Sequence, residues 1–180
     1  MIKILKLDHR PERDKRITTH CALVARAFCA EEFYYSGIED YRIEENIKNI
    51  KEKWGGDFKI EYVEKPSAFI KKVKEEKKTI IIHLTMYGEQ IIKIINNVSS
   101  KINIEKLDLL IVVGGPKVPK LYYELADYNV SVTNQPQSEV GALAVILYLL
   151  NPDALNEKDF KNNKIKLIPN NTYKDVINLK

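Results

Sequence analysis

A chain of 180 residues is long enough for one domain with a sizeable hydrophobic core. Apolar residues make up 44 % and charged residues 30 %, a balance that excludes an intrinsically disordered chain. The 29 Lys and Arg against 25 Asp and Glu leave a net charge of +4, which permits a polyanionic partner without demanding one.

In chain order, residues 2–7 read as a first strand, followed by a charged segment over 8–16. Thr18 or Thr19 is placed to cap a helix running through Ala22, Leu23, Val24, Ala25, Ala27 and Phe28. Residues 33–35 form a short second strand. Ile43, Ile47, Ile50 and Trp54 carry the period of a helix over 44–54, which Gly55-Gly56 stops. Residues 58–63 alternate as a strand, and Pro66 opens a lysine-rich helix carrying Phe69, Ile70 and Val73. The apolar strand 79–84 ends in a loop over 85–88, and a helix through Ile91, Ile92, Ile94 and Ile95 follows. Residues 107–113 form a buried strand, 120–126 a short helix and 128–132 another strand. The apolar helix 140–150 is stopped by Asn151-Pro152. Buried strands alternating with helices predict an α/β fold with a mostly parallel sheet flanked by helices. Residues 164–169 and 173–179 flank Asn170-Asn171-Thr172 as a β-hairpin, so 160–180 reads as a C-terminal extension of a single domain over 1–180. Such a hairpin must pack on something, and a partner subunit suits it.

The two cysteines, Cys21 and Cys29, form no C-x-x-C pair, which disfavours a zinc or dithiol site. Eight residues apart on one helix, they lie too far apart for a disulfide and read as buried small hydrophobes. The run 140–150 spans only about 16 Å as a helix, short of the ~30 Å bilayer core. Early charges at Lys3, Lys6, Asp8, His9 and Arg10 do not suit a signal peptide. A soluble, cytoplasmic protein is expected.

Chemistry-bearing residues gather at strand ends. Gly114-Gly115-Pro116-Lys117-Val118-Pro119 follows a buried strand but ends in no Gly-Lys-Ser/Thr, so it is not a P-loop. No G-x-G-x-x-G follows the first strand, which disfavours a dinucleotide site. Paired glycines and prolines fix a turn and let a ligand approach the backbone where parallel sheets place their ligands. In Thr133-Asn134-Gln135-Pro136-Gln137-Ser138-Glu139, Ser138 suits an N-cap and Glu139 favours the helix dipole. Asn134, Gln135 and Gln137 are left to read an adenine edge or to hold a polar tail. In the loop 83–88, Leu84 and Met86 are placed to wall an aromatic ring. The basic cluster over 9–16 with His20 suits phosphate contacts, and arginine gives bidentate ones. A salt-bridged surface loop is the other reading of that cluster. The apolar helix after Glu139 needs a covering subunit, which favours a dimer.

The segments H-R-P-E-R-D-K-R-I-T-T-H (9–20), A-R-A-F (25–28), H-L-T-M-Y-G (83–88), V-V-G-G-P-K-V-P (112–119), A-D-Y-N-V (126–130) and N-Q-P-Q-S-E-V-G-A-L-A-V (134–145) span the chain in order. They resemble the archaeal tRNA 2′-O-methyltransferase family that modifies cytidine 56 in the TΨC loop, of the SPOUT class of knotted methyltransferases. Pro116 stands where a G-x-E-K pattern would carry glutamate, which bears on a side-chain contact and not on a backbone-lined site. The resemblance implies a deep C-terminal trefoil knot, a homodimer, a C-terminal β-hairpin and S-adenosyl-L-methionine as cofactor. It implies cofactor binding by Leu84, by Gly114, Gly115, Pro116, Lys117 and Val118, and by Val132, Thr133, Asn134, Gln135, Pro136, Gln137, Ser138 and Glu139. It implies tRNA as partner, with no membrane, DNA or metal required. Arg16 is the expected catalytic arginine, with Arg10, Arg13 and Arg26 as rivals. Arg10, Arg13, Arg26, His9 and His20 are the expected substrate contacts. A non-catalytic RNA-binding module on the same scaffold is the alternative, distinguished by lack of affinity for the methyl donor.

Overall fold

The computed structural model describes residues 1–13, 16–76, 78–115, 117–156 and 160–179. The strands are β1 (Ile2–His9), β2 (Glu32–Gly37), β3 (Lys59–Tyr62), β4 (Thr79–Gln90), β5 (Asp108–Val113), β6 (Tyr128–Ser131), β7 (Ile165–Ile168) and β8 (Asp175–Asn178). The helices are α1 (Ile17–Ala27), α2 (Tyr41–Trp54), α3 (Pro66–Glu75), α4 (Ile91–Glu105), α5 (Lys120–Leu125) and α6 (Glu139–Leu150). The first six strands form one sheet in the order β3-β2-β1-β5-β4-β6, and every pairing in it is parallel.

Strand alternation divides the core into two layers. Ile4, Ile80, Ile82, Leu109 and Ile111 face one side, where they pack with Cys21, Ile47, Ile95, Leu143 and Leu147 from α1, α2, α4 and α6. Leu5, Ile81, Leu110 and Val112 face the other, against Ile70 and Val73 of α3 and the apolar side of α5. The chain builds outward from β1 to β3, then crosses to the far side for β4, β5 and β6. That reversal puts a topological switch between β1 and β5, and ligands of open α/β sheets gather outside the carboxyl ends of the strands at such a point.

Three expectations change. Strand β4 does not stop at Leu84: Leu84 and Glu89 both pair with Val130, so residues 85–88 swing out and the strand resumes. Gly88 permits this, because a Cβ there would lie 2.5 Å from the backbone of Asn129 and Val130. Neither threonine caps α1. Arg16 occupies the N-cap without a side-chain bond, and Thr18 lies inside the helix with its hydroxyl 2.8 Å from His9 Nδ1. Cys29 lies past the end of α1 at φ 65°, so the two cysteines do not share a helix, and neither is in a disulfide.

Strands β7 and β8 form an antiparallel hairpin. It is seated on the end of α2, where Gly56 N–H donates to Lys161 O and Lys164 N–H donates to Lys53 O. Among the described residues no helix is long and apolar enough to cross a membrane.

Candidate functional site

Two cavities open at the carboxyl ends of the strands. The larger, of about 380 Å³, lies where β4, β5 and β6 end, and its size suits a drug-sized organic ligand. Leu84, Gly114, Gly115 and Val118 form one wall, and Val132, Thr133, Gln135, Pro136, Gln137, Ser138 and Glu139 the other. Segments far apart in sequence thus share one cavity. Gly114 is needed for its shape, since a Cβ there would collide with a methyl of Val118. A second cavity of about 330 Å³ adjoins it through Gly115 and Val118, at the β1–β5 switch, and is lined also by Asp8, Ser36 and Lys117.

The expected cofactor residues do not all take the same part. Lys117 lines the second cavity and not the first. Asn134 serves the wall: its amide donates to Met86 O at 2.8 Å and Gly88 O at 3.0 Å, tying the 132–139 segment to the outswung 85–88 loop. Gln137 Nε2 donates to Thr133 Oγ1 at 3.0 Å, bracing the same segment. Ser138 caps α6 through Val140 N–H, as its type predicts. Glu139, in the first turn of α6, reaches Lys6 Nζ at 3.0 Å. Pro116 lies outside the described residues.

Two expected substrate contacts are corrected. His9 is 1 % exposed, held by Thr18 Oγ1 on one ring nitrogen and facing Asp40 Oδ2 at 3.5 Å on the other, so it joins β1 to α1 and α2 instead of meeting solvent. Arg26 is buried against Phe160, its guanidinium 4.5 Å from the ring centroid, and donates to Gly55 O at 2.7 Å and Trp54 O at 3.2 Å. It closes the end of α2 and carries no free face toward a substrate. Arg13, Arg16 and His20 are exposed, and Arg10 is half-buried with its Nε 3.6 Å from Asp8 Oδ2. His20 N–H donates to Arg16 O, so these two residues stand one turn apart on the open face of α1. None of these four lines either cavity.

Several residues passed over in the sequence complete the site. Lys6 sits mid-strand and 1 % exposed, with its ammonium on Leu7 O at 2.7 Å and on Glu139. This pair, with Lys6 buried and Glu139 half-buried, anchors the cavity wall to β1; burial and the nearby Glu139 carboxylate also push the Cys21 thiol up to about 12. Asp8 sits at an irregularity within β1 at φ 59°, an uncommon conformation for a non-glycine residue, beside Gly115. His83, Thr85 and Tyr123 form a polar corner of the larger cavity, with Thr85 Oγ1 and Tyr123 Oη 3.0 Å apart. The only sequence signal for that corner was a histidine and a threonine at the end of an apolar strand.

Known proteins resemble this chain in sequence and in fold. The family described as "tRNA ribose 2′-O-methyltransferase, aTrm56" matches residues 54–177. The chain is 47 % identical over 179 residues to a tRNA (cytidine(56)-2′-O)-methyltransferase of Thermococcus kodakarensis, covering 99 % of this chain and 98 % of the relative. It is 46 % identical over 177 residues to the enzyme of that name from Methanosphaera stadtmanae, covering 98 % of each. Among solved structures, the SpoU methyltransferase AviRb of Streptomyces viridochromogenes with AdoMet is similar at a TM-score of 0.59 and 13 % identity, over 88 % of this chain and 59 % of that one. The TrmH/SpoU tRNA-modifying enzyme of A. aeolicus is similar at 0.60 and 17 %, over 84 % and 74 %. At such identities these two likenesses show the fold alone, a SPOUT-like one. With the full-length matches beside them, the chain belongs to the aTrm56 family of tRNA ribose 2′-O-methyltransferases.

Proposed function

We propose that the chain transfers a methyl group from S-adenosyl-L-methionine to the ribose 2′-oxygen of cytidine 56 in the TΨC loop of tRNA, acting as a homodimer around a C-terminal trefoil knot. The observation that carries this reading is the 47 % identity, over nearly all of both chains, to an enzyme named for that reaction. The larger cavity fits the cofactor: glycine clearance at 114, apolar contacts from Leu84 and Val118, and an amide-rich wall over 132–139 suit a nucleoside with a polar tail. The ties from Asn134 to Met86 and Gly88 favour a closely interlaced chain there.

When bound, the cofactor supplies a methyl group already activated on sulfur. The protein then has to align the ribose, stabilise charge on its oxygen and accept a proton. Arg16 is the proposed catalytic residue. It is a permanent cation, a poor proton acceptor and a good stabiliser of the alkoxide that develops. His20, one turn along α1 and exposed, is the proposed proton acceptor. Arg10 and Arg13 hold backbone phosphates, and the folded loop of the tRNA provides the specificity.

The test incubates the protein with labelled S-adenosyl-L-methionine and unmodified archaeal tRNA and maps the labelled nucleotide. Label at the 2′-oxygen of cytidine 56 is expected. Label at another nucleotide rejects the substrate; binding of both partners with no transfer rejects the enzyme in favour of an RNA-binding module.

A further inference from the structure

Strand alternation puts the side chain of His83 on the same face as Ile81, between Val112 of β5 and Asn129 of β6. The residue is 0 % exposed. Asn129 Nδ2 donates to Tyr123 O at 2.9 Å, which turns its amide oxygen toward His83 Nδ1, also at 2.9 Å. An amide oxygen only accepts, so Nδ1 of His83 carries the ring proton. Burial disfavours the imidazolium and lowers the pKa of His83, which favours the neutral ring with a lone pair on Nε2. The Tyr123 ring meets the imidazole edge-on at 4.6 Å and is itself bonded to Thr85, which fixes the ring plane.

Nε2 is buried and has no hydrogen-bond partner within the chain. It lies in the polar corner of the larger cavity, beside Gly114, where a Cβ would stand 3.6 Å from it. An unsatisfied buried acceptor is destabilising and is rare in native proteins unless something outside the chain completes it. The lining of this cavity carries one charged side chain among the described residues, Glu139, on the opposite wall. That carboxylate is already paired with Lys6, and a bare acceptor nitrogen on an uncharged ring calls for a donor and offers a ligand cation no counter-charge. The corner therefore suits a neutral N–H or O–H donor.

We propose that His83 is a cofactor-binding residue whose Nε2 accepts a hydrogen bond from the nucleoside half of S-adenosyl-L-methionine, through the adenine amino group or a ribose hydroxyl. The inference rests on the cofactor reading above. His83 selects for a nucleoside with a donor at this point, and Asn129 and Tyr123 act through it by fixing its tautomer. The arrangement assigns the hydrogen-bonding direction: a donor reaching this corner is satisfied, and a second acceptor is repelled.

Isothermal titration and ring ¹⁵N spectra together test this. On saturating the wild-type protein with adenosine, the His83 Nε2 resonance should move from its unbonded toward its hydrogen-bonded position while Nδ1 stays protonated; methionine alone should leave both in place. His83→Phe should weaken binding of S-adenosyl-L-methionine and of adenosine by tenfold or more. His83→Gln, whose amide oxygen reaches toward the Nε2 position, should recover part of the loss. An unmoved Nε2 signal at saturation overturns the proposal, and that measurement needs no variant to fold. So does a His83→Phe protein that melts like the wild type and binds adenosine equally well, or a resonance that answers to methionine instead. A wild-type protein that binds no S-adenosyl-L-methionine would reject the functional reading itself.

Discussion

Arg26 and Arg16 are ten positions apart and carry the same guanidinium, yet their surroundings give them opposite work. Arg26 spends its donors on Trp54 O and Gly55 O and stacks on Phe160. Arg26→Met leaves those carbonyls without a charged donor, so stability should fall by about 2–3 kcal/mol in urea unfolding while affinities for tRNA and methyl donor hold. A loss of tRNA affinity without a loss of stability would restore Arg26 to the substrate surface. Arg16 holds the N-cap of α1 with no side-chain bond, and a cation there opposes the helix dipole. Arg16→Ser supplies a capping hydroxyl and removes that charge, so the protein should gain about 1 kcal/mol. Single-turnover methyl transfer should fall on the order of a hundredfold, the scale for one oxyanion stabiliser. Gained stability with unchanged transfer would remove Arg16 from the mechanism.

At the scale of elements, the start of α2 is the junction that holds β1 and α1 in place. Asp40 caps α2 by accepting from Arg42 N–H at 3.1 Å and from the Arg42 guanidinium at 2.8 Å, and it faces His9 at 3.5 Å. The hydrogen bond from the Arg42 side chain outweighs burial and holds the Asp40 carboxyl down at about 2. A depressed carboxyl stabilises the fold fully above its unfolded value near 3.8, and that contribution disappears as pH falls toward 2. Asp40→Asn should cost on the order of 2 kcal/mol at pH 6. Denaturation of both proteins from pH 6 to pH 2 should show the gap closing below pH 4. A gap that stays constant across this range would mean that the cap and not the charge carries the effect. Helix α6 is anchored in a different way, by the Lys6–Glu139 pair, and removing the Glu139 carboxylate alone leaves the buried Lys6 ammonium without its counter-ion.

For the whole molecule, what was legible in the sequence is what local chemistry determines. The two late loops announce a ligand wall because glycine, proline and amides have few other uses after a buried strand, and the apolar strands announce a parallel sheet. Lys6, His83 and Asn129 were not legible, because a lysine or histidine within a strand acquires its meaning only from the strand or helix laid across it. Arg26 was misread for the same reason, since Phe160 meets it only after the chain has folded. The expected apolar girth of α6 resolves into two faces. Leu143, Ile146 and Leu147 turn inward, while Gly141, Val145 and Tyr148 line up outward at i, i+4 and i+7, with Val145 40 % and Tyr148 43 % exposed. The proposed homodimer buries that outward stripe, where Gly141 leaves open space for close approach. Val145→Glu with Tyr148→Glu puts two carboxylates on the stripe and leaves the inward core residues intact. Light scattering should then read the mass of one chain where the wild type reads two, with circular dichroism unchanged. A double variant that keeps the two-chain mass would move the interface off α6, and a wild type of one-chain mass would remove the dimer.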